Sequence, residues 1–256
     1  MQDNFKDQNE QELVYGRNSV LEALKSGRSI NKILYCGDLA GSMGTIFTLA
    51  RDRNIIVTKV PREKLDLLTD GKNHQGVLLY LSSAEYSSVD DILGAAEASG
   101  EEPFIIILDE IQDAGNFGAI IRTADAVGAH GIIIPKRRSI PLTAAVAKAS
   151  SGAVNSVKIA RVTNIHQEIL KLKERGIWIA GTDMSGTVDF CDADLNIPLA
   201  VVIGSEGSGM SRIVKDCCDL VLSIPMKGKV SSLNASVAAG VVLYEAFRQK
   251  NSAGRK

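Results

Sequence analysis

Apolar and polar positions along the chain fall into two successive α/β patterns with a polar interlude between them. From Val14 to about Leu81 the spacing switches between helical periodicity and short apolar runs. Ser19, a residue type favoured at helix N-caps, precedes Val20, Leu21 and Leu24, and Gly27 closes that first helix. A strand over 32–35, a helix over 45–53, a strand over 55–60, a helix opened by Pro61 and a strand over 77–81 follow. The stretch 82–103 is rich in Ser, Ala, Gly and acids and holds one weak helical pattern over 89–98, so the domain boundary is placed there.

Beyond it, near-continuous apolar runs occur at 104–108, 131–134, 157–159, 177–180, 199–203 and 220–224. Strands buried on both faces of a parallel sheet require such runs. Helical patterns separate most of them: 116–127 stops at Gly128, 164–175 stops at Gly176, and 236–249 closes the chain. The expectation is a doubly wound α/β domain.

Length and composition agree with two cores. The chain has 256 residues, 45% of them hydrophobic, with 23 glycines, against roughly 100–200 residues per domain. A formal net charge of −1 means that a polyanionic partner would be held by local basic patches. Cys36, Cys191, Cys217 and Cys218 include a vicinal pair but no C-x-x-C spacing, so neither a zinc site nor a disulfide framework is expected, and no metal. No apolar run approaches the ~18–20 residues of a membrane-spanning helix, and residues 1–12 read as a polar tail without a signal-peptide core. A soluble, cytoplasmic protein with reduced thiols is expected.

Ligands of open parallel sheets bind beyond the carboxyl ends of the strands, and three such ends stand out. After 104–108 comes Asp109-Glu110-Ile111-Gln112-Asp113-Ala114-Gly115-Asn116-Phe117-Gly118-Ala119-Ile120-Ile121-Arg122. Asn116 is placed to cap a helix, with Arg122 less than two turns further on. A capped helix with a surface arginine is one reading. The other is that a guanidinium within an apolar helix serves an anion such as phosphate. After 199–203 comes Gly204-Ser205-Glu206-Gly207-Ser208-Gly209, either a plain glycine turn or a loop whose backbone approaches a ligand, with a helix near Ser211 directing amides toward it. It has neither the Gly-Lys-Ser/Thr of a phosphate loop nor a dinucleotide G-x-G-x-x-G. After 220–224 comes Pro225-Met226-Lys227-Gly228-Lys229-Val230-Ser231-Ser232-Leu233-Asn234-Ala235-Ser236, whose hydroxyls and amide suit capping or nucleoside recognition.

In this order and spacing the three segments resemble the motifs of the SpoU-type, TrmH-like branch of the SPOUT class of RNA 2′-O-ribose methyltransferases. Tyr15 through Leu24 and Asn73-His74-Gln75-Gly76-Val77 further resemble the N-terminal substrate-binding domain of one subgroup, which methylates a guanosine in the peptidyl-transferase loop of 23S rRNA.

The resemblance implies a tail at 1–12, a ribosomal-protein-like RNA-binding α/β domain at 13–82, a linker at 83–103, and a SPOUT catalytic domain at 104–251 ending in a deep trefoil knot. It implies that S-adenosylmethionine (AdoMet) is held by Gly204, Ile224, Met226 and Leu233, with Thr182 as a further candidate. It assigns catalysis to Arg122, oriented with ribose and cofactor by Asn116, Glu206, Ser232 and Asn234. The family role for the arginine is a general base. Because arginine stays protonated, stabilisation of a developing alkoxide is the simpler reading. Lys136, Arg137, Arg138, Lys227, Lys229 and Arg17 are the expected RNA contacts, the alternative being solvated loop charges; His74 reads as a satisfied polar residue. The implied partners are RNA, as 23S rRNA or its assembling particle, and a second copy of the chain. The alternatives are a tRNA 2′-O-methyltransferase of the same fold or a non-catalytic ribosome-assembly factor.

Overall fold

A computed structural model describes residues 12–38, 41–229 and 232–253; of the expected tail only Glu12 lies among them, and Val230 and Ser231 of the third segment also fall outside. The chain divides into two units, Met1–Glu85 with Pro141–Ala145, and Tyr86–Ile140 with Val146–Lys256.

In the first unit the order is β1 (Leu13–Tyr15), α1 (Arg17–Lys25), β2 (Ile30–Tyr35), α2 (Ser42–Asp52), β3 (Val57–Lys59), α3 (Arg62–Leu68) and β4 (Val77–Leu81). The sheet runs β1-β4-β2-β3, with β4 antiparallel to both neighbours and β2 parallel to β3. All of β4 is buried because alternate residues enter two cores. Val77, Leu79 and Leu81 pack with Val20, Leu24, Met43 and Ile46, whereas Leu78 and Tyr80 pack with Leu34 and Leu65. One strand goes unread and one expectation is corrected: the three-residue β1 carries too little pattern to be read. And α1 starts earlier than Ser19: Gly16 at φ 87° turns the chain directly into Arg17, with no side-chain cap. Asn31 Nδ2 donates to Leu81 O at 3.1 Å and to Leu142 O at 2.9 Å, tying the later Pro141–Ala145 segment to this unit.

The second unit begins with α4 (Val89–Ser99), inside the stretch expected to be a linker. A Ser88/Asp91 capping box starts this helix, and Ile92 sits fully buried in the core with Ile105 and Ile133. The helix itself matches the pattern expected over 89–98, and its packing makes it part of the unit. Then come β5 (Phe104–Leu108), α5 (Ala114–Ala126), β6 (Gly131–Pro135), α6 (Ala144–Ala149), β7 (Ile159–Val162), α7 (Ile165–Glu174), β8 (Trp178–Thr182), β9 (Val188–Asp189), β10 (Leu199–Ile203), α8 (Arg212–Lys215), β11 (Leu220–Ser223) and α9 (Ala235–Ala253).

All neighbouring strands of the second sheet are parallel, in the order β7-β6-β5-β10-β8-β11-β9. β5 and β10 are buried at every residue. Sequence order runs outward from β5 to β7 on one side and lies beyond β10 on the other, so the winding reverses between β5 and β10. That reversal opens a crevice at the carboxyl ends. The register sets Leu108, Ile203, Thr182 and Leu222 in one row along that edge, and the residues that follow them form the site.

Candidate active site

α5 starts at Ala114, and its N-cap is Asp113, whose Oδ1 accepts the Asn116 amide at 2.7 Å. Asn116 is therefore not the cap. Its buried side chain is free for longer-range bonds: Nδ2 donates to Glu206 Oε1 at 2.9 Å, and Oδ1 accepts from Asn234 Nδ2 at 2.9 Å. Asn234 Nδ2 also donates to Glu206 Oε1, closing a triangle among residues from all three strand ends. Asn234 serves α9 too, since its Oδ1 accepts from the amides of Ser236 and Val237 at 2.9 and 3.3 Å and from the Ser236 hydroxyl at 2.6 Å. One side chain thus caps a helix with its oxygen and anchors the glycine loop with its nitrogen.

That loop is closed on itself. Ser205 and Gly209 exchange backbone hydrogen bonds of 3.0 Å in both directions. A Cβ at residue 204 would stand 2.3 Å from Gly209 C and Met210 N, so glycine here admits the loop's own backbone. The amide of Ser211, the residue before α8, is already taken: it donates to Asp109 Oδ2 at 2.7 Å, and Asp109 is buried.

Beside the loop lies a cavity of about 290 Å³. Thr182, Gly204, Ile224, Met226 and Leu233 all line it, as do Glu206 and Ser232. Reasoning from sequence passed over Asp183, Ser205, Ser208 and Ala238, which share the lining. Asp183 was the legible one, since it follows the last residue of β8. The lining contains no lysine or arginine, and among the described residues no group of His, Cys, Asp or Glu is arranged to hold a metal.

Arg122 is exposed on α5, does not line the cavity, and has no hydrogen-bond or ion-pair partner among the described residues. Within this chain Asn116, Glu206 and Asn234 bond to one another. Arg137, Lys227 and Lys229 are exposed, while Arg138 pairs with Glu110 Oε1 at 3.1 Å. Lys136 is half-buried, and burial, with Arg161 nearby, lowers its pKa. In the first unit Arg17 is fastened by its backbone and Nε to Gln75, at 3.0 and 3.2 Å. His74 is buried, with Nε2 2.9 Å from Asp66 Oδ1 and Nδ1 accepting the Gly76 amide at 3.0 Å. Those bonds place its proton on Nε2 and leave it structural.

The chain is similar to known proteins over most of its length. A Bacillus subtilis protein, YacO, named for the TrmH family of tRNA/rRNA methyltransferases, is 50% identical over 94% of this chain and 97% of its own. The crystal structure of the SpoU methyltransferase AviRb from Streptomyces viridochromogenes in complex with the cofactor AdoMet aligns with a TM-score of 0.61 and 28% identity, over 97% of this chain and 94% of that one. That of the A. aeolicus TrmH/SpoU tRNA modifying enzyme aligns with a TM-score of 0.55 and 34% identity, over 60% of this chain and 78% of that one. The family model for RNA 2′-O ribose methyltransferase substrate binding matches residues 13–87. With the SpoU rRNA Methylase model matching residues 103–244, where the three strand ends converge, the chain belongs to the SpoU rRNA methylase family.

Proposed function

We propose that this protein transfers a methyl group from AdoMet to a ribose 2′-hydroxyl of structured RNA, with a guanosine of the 23S rRNA peptidyl-transferase loop as substrate. The observation that carries the reading is the Asn116–Glu206–Asn234 triangle standing beside a cavity lined by Gly204, Ile224, Met226, Leu233 and Thr182. The cavity fits the cofactor in kind: an apolar wall for the adenine and backbone groups of the glycine loop for its polar atoms. Bound there, AdoMet supplies an electrophilic methyl group on a sulfonium leaving group.

The chain's own residues position and stabilise. Asn116 and Asn234 fix Glu206 and with it the glycine loop, and Ser232 at the cavity edge orients the ribose. Arg122, permanently cationic, clamps an RNA phosphate and stabilises negative charge growing on the ribose oxygen. Its exposure suits that role, as does a dimer in which it serves a second copy's cavity. α9 offers a surface for such a dimer, with Val237, Tyr244 and Phe247 exposed. The same reading carries the trefoil knot and a cytoplasmic location with it.

Ribosomal RNA is preferred over tRNA because the substrate-binding match spans the first unit, whereas the tRNA-modifying neighbour aligns with only 60% of the chain. RNA phosphates are assigned to Arg17, Lys136, Arg137, Arg138, Lys227 and Lys229. The decisive experiment is methylation by Arg122→Ala, with AdoMet binding followed by calorimetry. Transfer should be lost and binding kept; undiminished turnover would refute the role of Arg122. Mapping 2′-O-methyl marks in rRNA and tRNA with and without the protein tests the substrate, and wild-type protein that fails to bind AdoMet would favour an assembly factor instead.

A further inference from the structure

The cavity wall carries two carboxylates, Glu206 and Asp183. Glu206 accepts from the side-chain amides of Asn116 and Asn234 on Oε1, which ties it to the other two strand-end segments. Asp183, the first residue past β8, is held from one side only. Its Oδ1 accepts from the Ser185 amide at 2.9 Å, the Ser185 hydroxyl at 2.6 Å and Lys215 Nζ at 2.9 Å. Neither Ser185 nor Lys215 lines the cavity. Oδ2 accepts no hydrogen bond from the described residues and lies against Gly209, where a Cβ would come within 3.1 Å of it. The main chain is pinned as well, by Asp183 N donating to Leu222 O and Gly186 N donating to Asp183 O, both at 3.0 Å.

The side chain is 18% exposed. Burial pushes its pKa up, but the bonds from Ser185 and Lys215 outweigh this and hold it below the usual carboxylate value, so it is ionised at neutral pH. An ionised carboxylate with one oxygen saturated and the other open beside a largely apolar cavity is a strong acceptor in search of a donor. Because Lys215 already balances its charge, a neutral donor suits it better than a second cation.

We infer that Asp183 Oδ2 receives the ribose hydroxyls of the AdoMet adenosine, with Lys215 and Ser185 as positioning residues that aim it. The inference rests on the cofactor assignment made above and adds to it the group that reads the sugar. The methionyl ammonium is the competing occupant of the same oxygen.

Calorimetry on the full chain separates the two, using S-adenosylhomocysteine and 5′-methylthioadenosine, which lacks the amino-acid portion. A hydrogen bond to a charged acceptor corresponds to roughly 10–100-fold in affinity. Asp183→Asn should therefore weaken both ligands by about that factor. The 2′,3′-dideoxy analogue of methylthioadenosine should bind wild type that much more weakly and should not distinguish wild type from the variant. Lys215→Met, which leaves the carboxylate in place, should weaken methylthioadenosine several-fold, and thermal melts on each variant confirm folding. Unchanged affinities in both variants would overturn the inference. So would an Asp183→Asn loss confined to S-adenosylhomocysteine, which would put the ammonium at Asp183. If wild type binds neither ligand, the cofactor assignment itself falls, and this inference with it.

Discussion

Gly204→Ala tests how tightly the glycine loop is built. The added Cβ would lie 2.3 Å from Gly209 C and Met210 N and 2.6 Å from Gly209 O, all backbone atoms that no side-chain rotation can relieve. Ordinary contact begins near 3.4 Å, so the loop has to retreat by about 1 Å. The retreat strains or breaks the paired Ser205–Gly209 hydrogen bonds, each worth about 0.5–1.5 kcal/mol, which limits the stability loss to about 1–3 kcal/mol. Function should suffer more. The same movement displaces Glu206 and the cavity wall, and a 1 Å misplacement can cost on the order of 100-fold in rate. Urea denaturation and methyl transfer, measured side by side, would show a modest fall in midpoint against a large fall in turnover. Gly100→Ala is the control, because Gly100, outside the cavity lining, has open space around it and suffers only from its φ of 69°; it should cost about 1–2 kcal/mol and leave turnover within a few-fold of wild type. If Gly204→Ala matched wild type in both assays, or if Gly100→Ala were the more damaging of the two for turnover, the close-approach argument would be wrong.

Two further outcomes concern single side chains, Asn234 and, on α9, Glu245. Asn234→Ala removes the cap of α9 and the bonds to Glu206 of the loop and Asn116 of α5, with an expected loss of about 1–3 kcal/mol in urea denaturation; Asn234→Ser, which restores a capping oxygen but cannot reach Asn116, should recover about 1 kcal/mol without restoring AdoMet affinity, and full recovery of both would contradict the dual role. Glu245 is held down at about 2 from an ordinary 4.5 by hydrogen bonds from Arg248 and Gln249, so its contribution to stability is present above about pH 4.5 and is lost as pH falls toward 2. Glu245→Gln should flatten that part of the stability curve at low salt, and parallel curves for variant and wild type would reject the assignment.

The parts of the fold that could be read in advance are those where burial dictates composition. Phe104–Leu108 and Leu199–Ile203 are covered on both faces, so every residue is apolar and the ends are sharp. The three-residue β1 and the two-residue β9 have no room for a pattern. Helix starts were misjudged where several polar residues compete. Asp113 and Asn116 are both good caps, and only the arrival of Glu206, ninety positions later in the chain, decides which of them is released for another purpose. The three chemical segments were recognisable individually, but their convergence depends on the reversal of strand order between β5 and β10, a property of topology rather than composition. Asp183 is readable as the first residue past a strand, but which of its oxygens stays open is decided by Ser185 and Lys215, and no spacing rule encodes that.

Asn234 has a consequence for how the molecule matures. It initiates the last helix, and its neighbours Leu233, Ala235 and Ala238 furnish one wall of the cavity. Translation reaches Asn234 only after all the strands of the parallel sheet and after Asn116 and Glu206. A nascent chain can therefore carry every strand of that sheet and still have no finished pocket, so premature termination upstream of α9 would yield a scaffold without a catalyst rather than a weakened one.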